Sequence, residues 1–182
     1  DLYTLPIEGG EARAVLTGPP FESQPRFSPD GKWVAFLSDR SGAENVWIAN
    51  PDGSEAKKLS DDKDAEFASP AWSADGRYVI ASRTNWGQST FELWMYHVDG
   101  GAGVQLTKAK PDPKTPRSQR SNALGAVASP DGRYLYYARK NGGFQYNATF
   151  PLWQVARMDL RSGDEDILTQ EQGSAIRPLL SP

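Results

Sequence analysis

Side chains that most often do covalent or metal chemistry are scarce in this chain. It holds one histidine, His97, and no cysteine. A thiolate nucleophile, a disulfide and a thiolate metal site are therefore excluded. A zinc site would need mostly carboxylates, an uncommon donor set for that ion. His97 stands just before Asp99-Gly100, where other copies of the same pattern carry Asn50 and Asp159; it reads as a polar residue beside a turn. No Gly-x-Ser-x-Gly elbow is present to carry a hydrolase nucleophile, and no Gly-x-x-x-x-Gly-Lys loop to cradle phosphates. The acidic run Asp61-Asp62-Lys63-Asp64-Ala65-Glu66 lacks the ligand spacing of a calcium loop and reads as a solvated connection. The expectation is a chain without catalytic residues, cofactor or metal of its own.

Cationic and aromatic side chains in loops are the remaining chemistry. Arg40, Arg83, Trp86, Arg117, Arg120, Arg139, Phe144 and Tyr146 combine arginine with aromatic rings, the composition of protein-binding hot spots. They form the candidate interaction face. The insert 108–124 adds Lys108, Lys110 and Lys114 against Asp112 alone. A formal net charge of −3 argues against nucleic acid as the partner. No apolar run approaches the ~20 residues that cross a bilayer, so membrane insertion is not expected. A protein or peptide partner is.

What positions these residues is a repeat. Phe27-Ser28-Pro29-Asp30-Gly31-Lys32-Trp33-Val34 recurs as Trp72-Ser73-Ala74-Asp75-Gly76-Arg77-Tyr78-Val79 and as Ala128-Ser129-Pro130-Asp131-Gly132-Arg133-Tyr134-Leu135, and Leu180-Ser181-Pro182 opens a fourth copy. A second signature follows each first: Val46 to Gly53 ending in Leu59-Ser60, Leu93 to Gly100 ending in Leu106-Thr107, and Val155 to Ser162 ending in Leu168-Thr169. Leu2 to Gly9, ending in Leu16-Thr17, is the same segment of an earlier unit. Ser-Pro-Asp-Gly is tight-turn chemistry. The flanking runs, such as Trp33-Val34-Ala35-Phe36-Leu37, are apolar on both faces, as in strands covered on both sides. Each unit therefore supplies four antiparallel strands, the content of one propeller blade.

The fold class expected is all-β: a partial β-propeller of four-stranded antiparallel blades. The expected units are 1–17 (partial), 25–60, 70–107, 126–169 and 177–182 (partial), one segment of a larger propeller. Exposed blade faces in such a segment predict self-association.

Repeat spacing places the loops. Successive turn serines lie 45, 56 and 52 residues apart. The stretch from the second turn to Leu-Ser or Leu-Thr is 8 residues every time, whereas turn serine to second turn takes 24, 26 and 32, and the run to the next turn serine 13, 22 and 12. All variation falls in the second-to-third-strand loop and the inter-blade loop. In an up-and-down blade these share one end, and variable loops on a rigid scaffold are where binding residues concentrate.

At these residues the chain resembles the TolB-type, WD-like propeller repeats, most closely over Phe27 to Ser60 and including Ser38-Asp39-Arg40-Ser41-Gly42. Such repeats build the periplasmic TolB protein, tricorn-like proteases and the propellers of prolyl oligopeptidase relatives; similar propellers precede amidohydrolase domains. The resemblance implies a bacterial, periplasmic or secreted protein. Repeats without catalytic residues, with variable loops gathered at one end, point to a non-catalytic module that binds protein or peptide or scaffolds a larger exported chain. The alternative is the accessory propeller of a hydrolase whose catalytic domain lies outside this chain.

Overall fold

The computed structural model describes residues 1–88, 90–110, 112, 114–142, 152–170 and 173–181. Among them are fourteen strands, β1 (Leu2–Thr4), β2 (Arg13–Leu16), β3 (Glu22–Phe27), β4 (Val34–Ser38), β5 (Asn45–Ala49), β6 (Lys57–Lys58), β7 (Ala65–Trp72), β8 (Tyr78–Asn85), β9 (Glu92–His97), β10 (Val104–Gln105), β11 (Ser121–Ala128), β12 (Tyr134–Asn141), β13 (Gln154–Asp159) and β14 (Glu165–Ile167), and one short 3-10 turn, Arg117–Gln119. They form three four-stranded sheets in chain order, β3 to β6, β7 to β10 and β11 to β14, preceded by the pair β1–β2. Every pairing is antiparallel. These are blades I, II and III of a partial propeller, with half a blade in front.

The Ser-x-Asp-Gly turn closes identically in each blade. The Ser28 hydroxyl donates to Asp30 Oδ1 at 2.7 Å and accepts the Trp33 N–H at 2.9 Å. Ser73 does the same with Asp75 and Tyr78 at 2.6 and 3.0 Å, and Ser129 with Asp131 and Tyr134 at 2.5 and 2.8 Å. Gly31, Gly76 and Gly132 sit at φ +71°, +70° and +69°, a conformation glycine adopts without a Cβ penalty.

The second signature has an equally specific role. Ser60 Oγ accepts the Val46 N–H at 2.9 Å, Thr107 Oγ1 that of Leu93 at 2.8 Å, and Thr169 Oγ1 that of Val155 at 2.9 Å. The outermost strand is only two or three residues long. Past its last ladder bond, the hydroxyl supplies an acceptor that the backbone no longer offers.

The core lies between blades. Ala35, Leu37, Val46 and Ile48 of blade I meet Phe67, Trp72, Val79 and Tyr96 of blade II. Ile80 and Leu93 of blade II meet Ala123, Leu135, Tyr137 and Met158 of blade III. Leu2, Val15 and Leu16 of the half-blade cover Phe36 and Trp47. This arrangement explains strands without alternation: blades I and II each have a neighbour on both faces.

Blades are also clasped by hydrogen bonds. Trp72 Nε1 donates to Arg26 O at 2.9 Å. The Ala123 N–H donates to Phe91 O at 2.9 Å, and the Ala175 N–H to Trp153 O at 2.8 Å. Ala123 and Ala175 both stand six residues before a turn serine, so the second bond repeats the first one blade further on. At the corresponding place between blades I and II, the side chain of Glu44 replaces the carbonyl and accepts the Phe67 N–H at 2.6 Å.

Candidate functional site

The two hairpin turns of each blade lie at one end; the second-to-third-strand loops and the inter-blade loops lie at the other. The variable loops therefore share the end that carries the candidate interaction face.

Three of its arginines are tied down. Arg40 Nη2 donates to the buried Glu22 Oε1 at 2.8 Å, with its guanidinium 5.2 Å from the centre of the Trp47 ring. Arg83 grips Asp62 with two nitrogens, at 3.1 and 2.5 Å, and lies 4.6 Å over Trp94. Arg139 pairs with Glu165 at 2.6 Å; Tyr137 Oη donates to the same carboxylate. Burial, and then that carboxylate, push the Tyr137 phenol well above its ordinary value. Arg120 Nη1 reaches Gln88 O at 3.4 Å. Arg117 opens the 3-10 turn and is exposed. Trp86 is 73% exposed. Phe144 and Tyr146 lie outside the described residues.

Two hollows open among these loops and strands. The first, of about 660 Å³, lies between blades I and II at the variable-loop end, walled by Glu44, Lys63, Asp64, Glu66, Phe67, Trp86 and Phe91. Glu44 is half-buried. Burial raises its carboxyl above the usual range, and the charges of Glu66 and Asp39 add to that effect. Sequence reading did not single out Glu44. Its signal was positional: it stands where the equivalent residue of the next blade, Phe91, clasps the following strand.

The second hollow, of about 990 Å³, is the funnel lined by the innermost strands β3, β7 and β11 and by Arg177 to Leu179. Gln24, Ser69, Gly125 and Arg177 line it at φ +54°, +53°, +68° and +54°. Each stands four residues before its turn serine, and the first three sit inside the ladder irregularity of their strand. The preceding blade secures the bend: Gln24 Oε1 accepts the Ser69 N–H at 2.7 Å, and Ser82 Oγ that of Gly125 at 3.1 Å.

His97 Nδ1 accepts the Asp99 N–H at 3.1 Å, in a turn at the hairpin end. Within the acidic run, Asp61 pairs with Lys58 and Asp62 with Arg83. Among the described residues no three Asp, Glu or His side chains converge as a metal would require. Nor do they contain a helix long and apolar enough to cross a membrane.

The sheets, their order and the blade-to-blade core define a partial β-propeller of the TolB-like kind. The chain belongs to the family described as the tricorn protease N-terminal β-propeller domain, which it matches over residues 1–182. It is 35% identical over 108 residues to tricorn protease homolog 1 of Streptomyces coelicolor, covering 58% of this chain and 10% of that protein. It is 32% identical over 105 residues to dipeptidyl aminopeptidase BIII of Pseudoxanthomonas mexicana, covering 57% and 15%. The crystal structure of TolB from Acinetobacter baumannii superposes with a TM-score of 0.65 at 19% identity, over 94% of this chain and 39% of that one. The chain thus spans from about a tenth to a quarter of the curated relatives it matches.

Proposed function

We propose that this chain is the non-catalytic propeller portion of a larger exported peptidase. In this reading it receives peptide or protein at its variable-loop end and governs what reaches a catalytic domain elsewhere in the parent. The observation that carries it is the family match along the whole chain, in company with relatives named as peptidases. The arginines on Glu22, Asp62 and Glu165 support it: they brace the loops of a rigid scaffold and leave the exposed Trp86 and Arg117 for contact.

The test is hydrolysis of a peptide length series by the parent protein, with and without residues 1–182. The expected result is activity retained in both, with selectivity for length or charge lost in the truncated form. Turnover by residues 1–182 alone would overturn the non-catalytic reading. A parent without peptidase activity would return the propeller to its second reading, a protein-docking scaffold of TolB type, which the local similarity to a TolB protein of Syntrophus aciditrophicus favours (38% over 53 residues). Export is checked by fractionating cells that express the parent.

A further inference from the structure

The loop between β8 and β9 is held from both sides by segments of opposite charge. On one side the Trp86 N–H donates to Asp64 O at 3.0 Å, which anchors the loop to the acidic stretch 61–66. On the other, Arg120 Nη1 reaches Gln88 O at 3.4 Å, while the Arg120 carbonyl is itself held by the Gly142 N–H at the end of β12, at 2.7 Å. That anchors the loop to the basic insert. Trp86, two residues before Gln88, is 73% exposed and lines the 660 Å³ hollow beside the acidic stretch.

Each flank carries an excess of one sign: three carboxylates against Lys63 at the hollow, and five cations against Asp112 in the insert. Glu44, Asp64 and Glu66 border the hollow, and among the described residues none has a cation within ion-pairing distance. Lys108, Lys110, Lys114 and Arg117 likewise have no carboxylate within that distance. Elsewhere on this end the molecule pairs its charges closely, as at Arg83–Asp62 and Arg139–Glu165. The carboxylates at the hollow are spread out, not convergent, which suits an organic cation better than a metal ion. Exposed indole, with Phe91 beside it, offers a face to an apolar or cationic group. A polyanion such as nucleic acid would meet repulsion at the acidic side.

We propose that Trp86 and its two flanking loops form a docking site for an extended peptide in which an apolar or aromatic residue separates a basic stretch from an acidic one. The central residue packs on Trp86, the basic stretch lies toward Glu44, Asp64 and Glu66, and the acidic stretch toward Lys114, Arg117 and Arg120. This rests on the peptide-receiving role given above and specifies where, and which peptide.

The experiment is calorimetric titration of the 182-residue chain with a capped heptapeptide, Lys-Lys-Gly-Phe-Gly-Glu-Glu, against all-Lys and all-Glu versions of its charged positions and a Phe-to-Ser version. The mixed-charge peptide is expected to bind at least about 5-fold more tightly than either single-charge version, since each of those places like charge on one flank. Trp86→Ala is expected to weaken binding about 10-fold or more, as loss of an aromatic anchor does. Because that side chain is exposed, the thermal midpoint should not move. Glu66→Lys together with Arg117→Glu should abolish the preference for mixed charge. Equal binding of all charge versions, or binding unchanged in Trp86→Ala, would overturn the site while leaving the propeller's accessory role standing. Failure of every peptide to bind would overturn it too, and that role would still be decided separately by the truncation assay on the parent.

Discussion

Glu44 shows how one side chain here serves two ends. Its Oε1 accepts the buried Phe67 N–H, and its charge faces Glu66 and Asp39 in a half-buried hollow. Its folded pKa lies above the unfolded one, so the native state holds that proton more tightly. Its contribution to stability is therefore largest at acid pH and falls as pH rises through the range just above the ordinary glutamate value. Glu44→Gln, which keeps the acceptor and removes the charge, is expected to be neutral or stabilising at pH 7. Glu44→Ala leaves the amide unpaired and should cost about 1–2 kcal/mol; urea unfolding of the two variants separates these effects. The turn carboxylates behave oppositely. Hydrogen bonds from Ser28, Ser73 and Ser129 lead in holding Asp30, Asp75 and Asp131 low, Asp75 to about 2 with help from Arg77. Their stabilisation is present above the ordinary aspartate value and lost as pH falls below it, for Asp75 toward about 2. The triple variant Asp30→Asn, Asp75→Asn, Asp131→Asn should flatten the fall of the urea midpoint between about pH 4 and 2. The letters of these turns were readable because all their bonds are local. The pairings of Arg40, Arg83 and Arg139 were not: Glu22, Asp62 and Glu165 lie 18 to 26 residues away, and only the sheet brings them near.

Among the elements, the innermost strands carry the least conventional backbone. Four residues at one repeat position hold positive φ, and only Gly125 does so without a Cβ. For an ordinary residue this conformation costs about 1–2 kcal/mol. Ser69→Gly is therefore expected to stabilise by about 0.5–1 kcal/mol, part of the gain being offset by the freer unfolded chain. Gln24→Gly should not, because it also removes the acceptor of the Ser69 N–H; paired denaturation curves decide the point. Nothing in the letters Gln, Ser, Gly and Arg announces a shared conformation. What betrays it is their constant distance from the turn serine. The strands themselves were legible from continuous apolar runs, whose meaning as doubly covered sheets follows from burial alone. The Leu-Ser and Leu-Thr signature was visible as a pattern, but its purpose needs a strand start 14 residues upstream.

At the scale of the molecule, one face of blade III has no covering blade among the described residues. Leu135 and Tyr137 point to blade II, so Tyr134 and Tyr136, on the alternate positions of β12, point the other way. Arg133 and Arg157 both stack over Tyr134, at 4.8 and 4.7 Å. The 182-residue chain is expected to self-associate through this face at high concentration, and Tyr136→Glu to return it to monomer, as read by light scattering after size exclusion. A monomer at every concentration would show that this face needs no cover. The clasp bonds have a further consequence. Ala175 meets Trp153 as Ala123 meets Phe91, and Phe67 meets the Glu44 carboxylate at the same place, so each finished blade presents an acceptor to the residues that emerge after it. Assembly can then run in the order of synthesis, each sheet templated by its predecessor and none waiting for a distant part of the chain. A lesion in the half-blade should accordingly slow the maturation of blade I while blade III, two docking steps away, still forms.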